Sequence, residues 1–264
     1  MARTGRLIKR GEGWPPPEGG KGTGLLRWKD SEILVAIYDQ TGLAGEQYRK
    51  LGIRIEALHE TLSREMKIVL VTSPIGGDGK TATAANLAIT LAKGEGRRVA
   101  LVDCDTRNPR LHTLFETRVS GGLLRTLTGQ GGIQDARERA EGVPLDLFTL
   151  PRGIGRRLDP MPIERMKALF KSLRESYDLV VCDAPPFLPV ADTSALVRLA
   201  DGVLVVVRAA KTPRQAVSMT LAGLDRNKLI GLVLNAVAEQ EVASYYYPYA
   251  DDDLEQRENG ADEN

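Results

Sequence analysis

Residues 67–81 constrain this chain more than any other stretch. The β-branched run Lys67–Thr72 leads into Ser73-Pro74-Ile75-Gly76-Gly77-Asp78-Gly79-Lys80-Thr81, and an Ala-rich helical pattern follows directly as far as Lys93. Strand, glycine loop and helix in that order are what a P-loop requires. Glycine lets the backbone curl until several N–H groups face one anion, and the helix adds the positive end of its dipole. Gly76, Gly77, Asp78, Gly79, Lys80, Thr81 and Ala82 are therefore the expected nucleotide-binding residues. Lys80 can reach the β and γ phosphates, and the Thr81 hydroxyl can ligate Mg²⁺. Pro74 stands where the general motif begins with glycine, so the match rests on the Gly-x-Gly-Lys-Thr half in its proper context. A glycine turn that merely joins a strand to a helix would leave the Lys-Thr pair unexplained.

Short apolar runs alternate with amphipathic segments through the rest of the chain. Strands are expected at Lys67–Thr72, Arg98–Asp103, Leu145–Leu150, Asp178–Cys182, Val203–Arg208 and Ile230–Asn235, and helices near Lys80–Lys93, Pro162–Ser176, Thr193–Leu199 and Arg214–Asp225. That alternation implies an α/β fold, a P-loop NTPase with a mostly parallel sheet flanked by helices. Upstream, a short β-rich run at Glu32–Tyr38 precedes a helical pattern from about Gly45 to Glu60. In that helix Tyr48, Leu51, Ile55 and Leu58 form a stripe that should pack on the domain.

The 264 residues suffice for one substantial domain plus extensions. Three parts are expected: a basic, Pro/Gly-rich arm over residues 1–43 that includes the β-rich run, a P-loop domain over 44–240, and a Tyr-rich acidic tail over 241–264. Charge is balanced overall, with 36 Lys and Arg against 35 Asp and Glu, but the ends are opposed: seven bases fall within Met1–Lys29 and seven acids within Asp251–Asn264. Both ends are too poor in apolar residues to offset their ordering entropy, so flexible arms are expected. The overall balance and the lack of a recognition helix in the basic arm argue against a nucleic-acid partner. No apolar run approaches the roughly 18 residues of a membrane span, and no secretory leader is expected. Cys104 and Cys182 each lie in an apolar run beside an Asp, without metal-ligand spacing, which suits a reducing compartment.

Two further strands end in carboxylates. Val99-Ala100-Leu101-Val102-Asp103-Cys104-Asp105 carries two, and Leu179-Val180-Val181-Cys182-Asp183-Ala184-Pro185-Pro186 carries one. In an open parallel sheet these ends share an edge with the phosphate loop, so the carboxylates can converge on a γ-phosphate. Asp183, after a continuous apolar run, fits the acid that holds magnesium through water. A loop-capping role is the bland alternative for each Asp alone, and it is weaker for three together with Lys80.

With these residues in place, the chain resembles the bacterial tyrosine kinases that accompany capsule and exopolysaccharide synthesis, which are related in fold to septum-site and plasmid-partition ATPases. The resemblance spans about Gly45 to Tyr249. Its carriers are Leu101-Val102-Asp103-Cys104-Asp105-Thr106-Arg107-Asn108-Pro109-Arg110-Leu111-His112, Gly121-Gly122-Leu123-Leu124, Asp183-Ala184-Pro185-Pro186, Asp192 and Val233-Leu234-Asn235. It implies that Lys80 and Thr81 bind phosphate and metal, that Asp103 is the base for an attacking tyrosine, that Asp105 and Asp183 organise Mg²⁺, and that Asn235 contacts adenine. Lys80, Asp103 and Asp105 would form the catalytic group. Partition-type ATPases carry a second signature lysine early in the loop, where this chain has Ile75, so the kinase branch is favoured.

Tyr245, Tyr246, Tyr247 and Tyr249 are four of the chain's seven tyrosines and stand directly before Asp251-Asp252-Asp253. This cluster resembles the autophosphorylated C-terminus of the same kinases. The implied activity is ATP-dependent autophosphorylation on tyrosine between neighbouring subunits of a homo-oligomer, with ATP and Mg²⁺, regulating exopolysaccharide or capsule synthesis or export. A membrane adaptor of the polysaccharide co-polymerase type is implied as partner, recruiting a cytoplasmic chain to the inner face of the cell membrane. The family's oligomerisation helix carries Glu-x-x-Arg-x-x-Arg. Here Glu46 and Arg49 are present, Gly52 takes the last position, and Arg54 lies two residues on. The competing readings are a partition- or septum-type ATPase acting as a nucleotide-dependent dimerising switch, and a scaffold that binds nucleotide without turnover.

Overall fold

The structure, a computed structural model, describes residues 25–29, 32–61, 66–94, 96–116, 119–154 and 157–238. Its strands are β1 (Leu25–Leu26), β2 (Ile68–Thr72), β3 (Val99–Asp103), β4 (Glu138–Ala140), β5 (Leu145–Phe148), β6 (Leu179–Asp183), β7 (Gly202–Arg208) and β8 (Leu229–Asn235). The helices are α1 (Val35–Tyr38), α2 (Leu43–Thr61), α3 (Lys80–Ala92), α4 (Gly122–Leu127), α5 (Ile133–Ala136), α6 (Ile163–Ser176), α7 (Asp192–Leu199) and α8 (Arg214–Gly223). The strands form one sheet in the order β1-β4-β5-β3-β6-β2-β7-β8. Neighbours run parallel except β4 and β5. The six strands and the helices expected from about Gly45 onward all occur, within two residues of their expected bounds.

The central strands are apolar at nearly every position because both faces of the sheet are covered. Every residue of β2, β3 and β6 is buried. Val69 and Val71 join the core under α2 and α3, while Ile68 and Leu70 join the opposite core under α6 and α7. In α6, Met166, Leu169, Phe170 and Leu173 are the buried residues, a helical stripe facing the sheet. The α3 helix is rich in alanine, so it lies close to the sheet on one side and to α2 on the other. A Cβ at the buried Gly52 of α2 would stand 3.0 Å from Thr90 Cγ2 of α3. Ile55 of the expected stripe is fully buried, and Leu51 and Leu58 pack against the same core.

The run Glu32–Tyr38, expected to be β-rich, is instead a turn followed by the short helix α1. It packs on α3, and polar side chains of α3 and of the residue that caps it satisfy its backbone. Asn86 Oδ1 accepts the Ala36 N–H at 3.0 Å, Asn86 Nδ2 donates to the Ile33 carbonyl at 2.7 Å, and Lys93 Nζ donates to the Ala36 carbonyl at 2.6 Å. The strand character upstream belongs to Leu25–Leu26, which pair with β4. Leu26, Trp28, Leu34 and Ala36 are buried in the same core as Val69 and Val71, and Trp28 packs on Phe115 with ring centroids 4.5 Å apart. Strands of two or three residues, such as β1 and β4, are too short to show periodicity, which is why the sequence pattern misses them. Among the described residues no helix is long and apolar enough to cross a membrane.

Candidate active site

The site follows from strand order. β6 lies between β2 and β3, so the end of the strand that feeds the glycine loop is next to the strand end bearing Asp183, and beyond it the end bearing Asp103. Asp183 stands in register with Val71 on one side and Asp103 on the other. Backbone bonds continue the ladder past the strand ends, from Cys104 N to the Asp183 carbonyl at 2.8 Å and from Ala184 N to the Val71 carbonyl at 2.9 Å.

The loop from Ser73 to Gly79 turns back over these ends and enters α3 at Lys80. Gly77 and Gly79 have φ of 90° and 94°, the left-handed region that glycine adopts without strain. A Cβ added at Gly76 or Gly77 would meet nothing within 4 Å, so this side of the loop is open. At Gly79 a Cβ would come within 2.0 Å of Asn235 Nδ2.

Lys80 projects from the first turn of α3 into the acidic cluster. Its Nζ donates to Asp105 Oδ2 at 2.9 Å and lies 3.5 Å from Asp183 Oδ1. Asp103 Oδ1 accepts the Asp105 N–H at 3.1 Å, and Asp105 Oδ1 accepts the Asn108 N–H at 3.0 Å. The four expected residues Lys80, Asp103, Asp105 and Asp183 thus form one buried group. Burial pulls the Lys80 ammonium down, but Asp183 and Asp105 outweigh it and hold the amine above its ordinary range. Burial, then the charges of Asp183 and Asp105, push Asp103 well above the usual carboxylate range. Burial also raises Asp183, against the opposing pull of Lys80 and the nearby Thr81 hydroxyl.

Three acidic side chains beside one ammonium crowd negative charge into a buried site. Asp103 Oδ2 and Asp183 Oδ2 are buried without a hydrogen-bond partner, an arrangement that suits a hard cation supplying the missing charge. Among the described residues no three His, Cys, Asp or Glu side chains form a ready-made cage.

The remaining expected residues brace the loop. Asp78 is buried, and its carboxylate accepts the Thr212 hydroxyl at 2.7 Å and the Ile75 N–H at 3.4 Å. Asn235, at the end of β8, donates from Nδ2 to the Asp78 carbonyl at 2.9 Å, so it sits against the phosphate loop with its carbonyl oxygen left to accept. Ala82 lies in the first turn of α3. Thr212 and Arg208 are absent from the sequence reading. Arg208, the last residue of β7, donates to the Gly77 carbonyl at 3.3 Å, and Thr212 follows in a loop whose composition carries no motif. The four tail tyrosines lie outside the described residues. Glu46 and Arg49 form a bidentate pair at 2.7 Å on the surface of α2, whereas Gly52 faces α3 and Arg54 is exposed.

Residues 66–228 match the family model described as an AAA domain. The chain is 32% identical over 231 residues to the tyrosine-protein kinase YwqD of Bacillus subtilis, covering 85% of this chain and 94% of that protein. It is also 32% identical to the succinoglycan biosynthesis transport protein ExoP of Rhizobium meliloti, over 69% of this chain but only 24% of that much longer protein. Among solved structures, the kinase domain of the Escherichia coli tyrosine kinase ETK superposes with a TM-score of 0.68 at 25% identity, covering 78% of this chain and 81% of that domain.

Proposed function

The chain belongs to the bacterial tyrosine-protein kinases built on a P-loop AAA domain, and from that premise we propose that it transfers the γ-phosphoryl of ATP to tail tyrosines of a neighbouring subunit. Membership makes it a nucleotide-binding enzyme that phosphorylates tyrosine. The acceptor, the metal and the residue roles are the proposal.

The loop backbone from Gly76 to Gly79 and the first turn of α3, Lys80 to Ala82, cradle the phosphates. Lys80 is held where it can move from Asp105 to the β and γ oxygens, neutralising charge as it spreads over the transferring group. Thr81, Asp105 and Asp183 would hold Mg²⁺, which when bound supplies positive charge to the phosphate oxygens. Tyr245, Tyr246, Tyr247 or Tyr249 of a neighbour presents its hydroxyl in line with the bond to the leaving ADP. A new O–P bond forms, the bridging bond to the β-phosphate breaks, and Asp103 takes the phenolic proton. A free phenol ionises near about pH 10, so a base with an elevated pKa is better matched to that proton than an ordinary carboxylate. Asn235 would contact adenine through its free carbonyl oxygen.

The observation that carries this reading is the buried Asp103 standing beside Lys80, Asp105 and Asp183 with one carboxylate oxygen unpartnered. Assembly as a homo-oligomer, a role in exopolysaccharide or capsule synthesis or export, and recruitment to a membrane by an adaptor belong to the same proposal and rest on family resemblance. The test is incubation of purified protein with Mg²⁺ and labelled ATP, comparing wild type, Lys80→Met and a variant with Tyr245, Tyr246, Tyr247 and Tyr249 all changed to Phe. Label should enter the wild type alone. Equal labelling of wild type and tail variant removes the tail from the mechanism, and phosphate release without any labelling returns the chain to the ATPase-switch reading.

A further inference from the structure

A cavity of about 710 Å³ opens beside the catalytic loop, between the segment after Asp105 and the loop after β5. Lys29, Arg107, Arg110, His112 and Arg152 line it, and among the described residues no acidic side chain does. Arg107 is neutralised by Asp159 and Asp192, each at 3.2 Å. Lys29, Arg110 and Arg152 are exposed and have no carboxylate partner among the described residues. Their fields converge on His112. Burial first, then Arg152, Arg110 and Lys29, hold its imidazole below the ordinary value, and its Nδ1 is buried without a partner. The near wall of the cavity includes Asn108, whose N–H is bound to Asp105. The cationic cavity and the acidic catalytic cluster therefore share one loop.

Three unpaired cations from three separate segments, with no acid among them, describe a site for a polyanion. This chain carries a matching one at Asp251-Asp252-Asp253, two to four residues after Tyr249. At about 3.3 Å per extended residue, those acids lie roughly 7 to 13 Å beyond a tyrosine held at the catalytic cluster. We propose that the cavity is the docking site for the Asp251–Asp253 segment of a second copy of this chain, and that it selects the tail as phosphoryl acceptor. The inference rests on the reading of the tail as substrate. The cations bind the acids, and the tyrosines just before them are thereby directed toward Asp103.

The test uses the full chain as enzyme and, as probe, a labelled peptide of residues 244–253 beside the same peptide with Asp251, Asp252 and Asp253 changed to Asn. Enzymes compared are wild type and the double variant Arg110→Glu, Arg152→Glu, both lying on exposed loops. KM for the acidic peptide should rise about tenfold in the double variant, equivalent to the loss of a few surface charge pairs, with kcat and the KM for ATP unchanged. The Asn peptide should show the same rise on wild type and no further rise on the double variant. Peptide phosphorylation with identical KM in both enzymes overturns the docking site while leaving the kinase reading intact. Failure of wild type to phosphorylate either peptide counts against the tail as acceptor. Fluorescence anisotropy then judges docking by itself: salt-sensitive binding lost in the double variant supports it, and no binding overturns it. Binding of an acidic oligosaccharide that depends on Arg110 and Arg152, where the peptide does not bind, also overturns it.

Discussion

The Thr212 hydroxyl donates to Asp78 Oδ1 at 2.7 Å, joining the loop after β7 to the phosphate loop across 134 residues of sequence. Asp78 is buried, so losing this donor leaves its carboxylate with the longer Ile75 contact alone. Thr212→Val keeps the shape and removes the donor, and an unsatisfied buried acceptor costs about 1 to 3 kcal/mol. The expected outcome is a lower Tm and a KM for ATP several-fold higher, with kcat little changed. Thermal denaturation and steady-state kinetics check it, and an unaltered KM would mean that the brace does not set loop geometry.

Lys80 is the only cation bonded to the Asp103, Asp105 and Asp183 cluster in the described structure. Lys80→Met should abolish phosphoryl transfer. It should also destabilise the nucleotide-free protein by about 3 to 5 kcal/mol, the usual cost of stranding buried charge. Adding Asp105→Asn should recover part of that stability and none of the activity. Urea denaturation of both variants tests this, and a single Lys80→Met protein as stable as wild type would show that the carboxylates take up protons instead.

Gly52 faces α3, and a Cβ there would stand 3.0 Å from Thr90 Cγ2. Restoring the family's arginine by Gly52→Arg should therefore push α2 from α3 at a cost of about 1 to 3 kcal/mol. The expected result is a lower Tm with no larger assembly on size-exclusion chromatography. Formation of a larger oligomer would place position 52 on an outward surface after all.

His112 yields a pH dependence. Its ordinary value is 6.5, and burial together with Arg152, Arg110 and Lys29 lowers it in the folded chain. The unfolded state then binds the proton more readily, so this contribution to stability is complete above about pH 6.5 and is lost as pH falls through the folded value. Proton NMR should find the His112 midpoint below 6.5, and Arg152→Glu should move it upward. A wild-type midpoint at or above 6.5 would contradict the electrostatics of the cavity.

The convergence of Lys80, Asp103, Asp105 and Asp183 was legible in the chain because each stands at the end of a strongly apolar run or directly after a glycine loop, where local pattern and chemistry coincide. The helical form of Glu32–Tyr38 was not legible. Its β-branched residues favour a strand, but the partners that satisfy its backbone, Asn86 and Lys93, come from a helix some fifty residues later. The contacts of Thr212 and Arg208 with the phosphate loop were missed for a similar reason: a polar residue in a loop or at a strand end looks the same in sequence whether or not it has a partner.

By itself, the order of residues determined the alternation of strands and helices, the phosphate loop and the kind of chemistry available at the strand ends, because periodicity and glycine placement act over a few residues. Only the tertiary structure decided that β6 lies between β2 and β3 and so gathers three carboxylates around one lysine. It alone decided that Gly52 faces inward and that cations from three distant segments share one cavity. Those outcomes depend on which surfaces meet when the whole apolar area is buried at once, and no local stretch of chain encodes such a meeting.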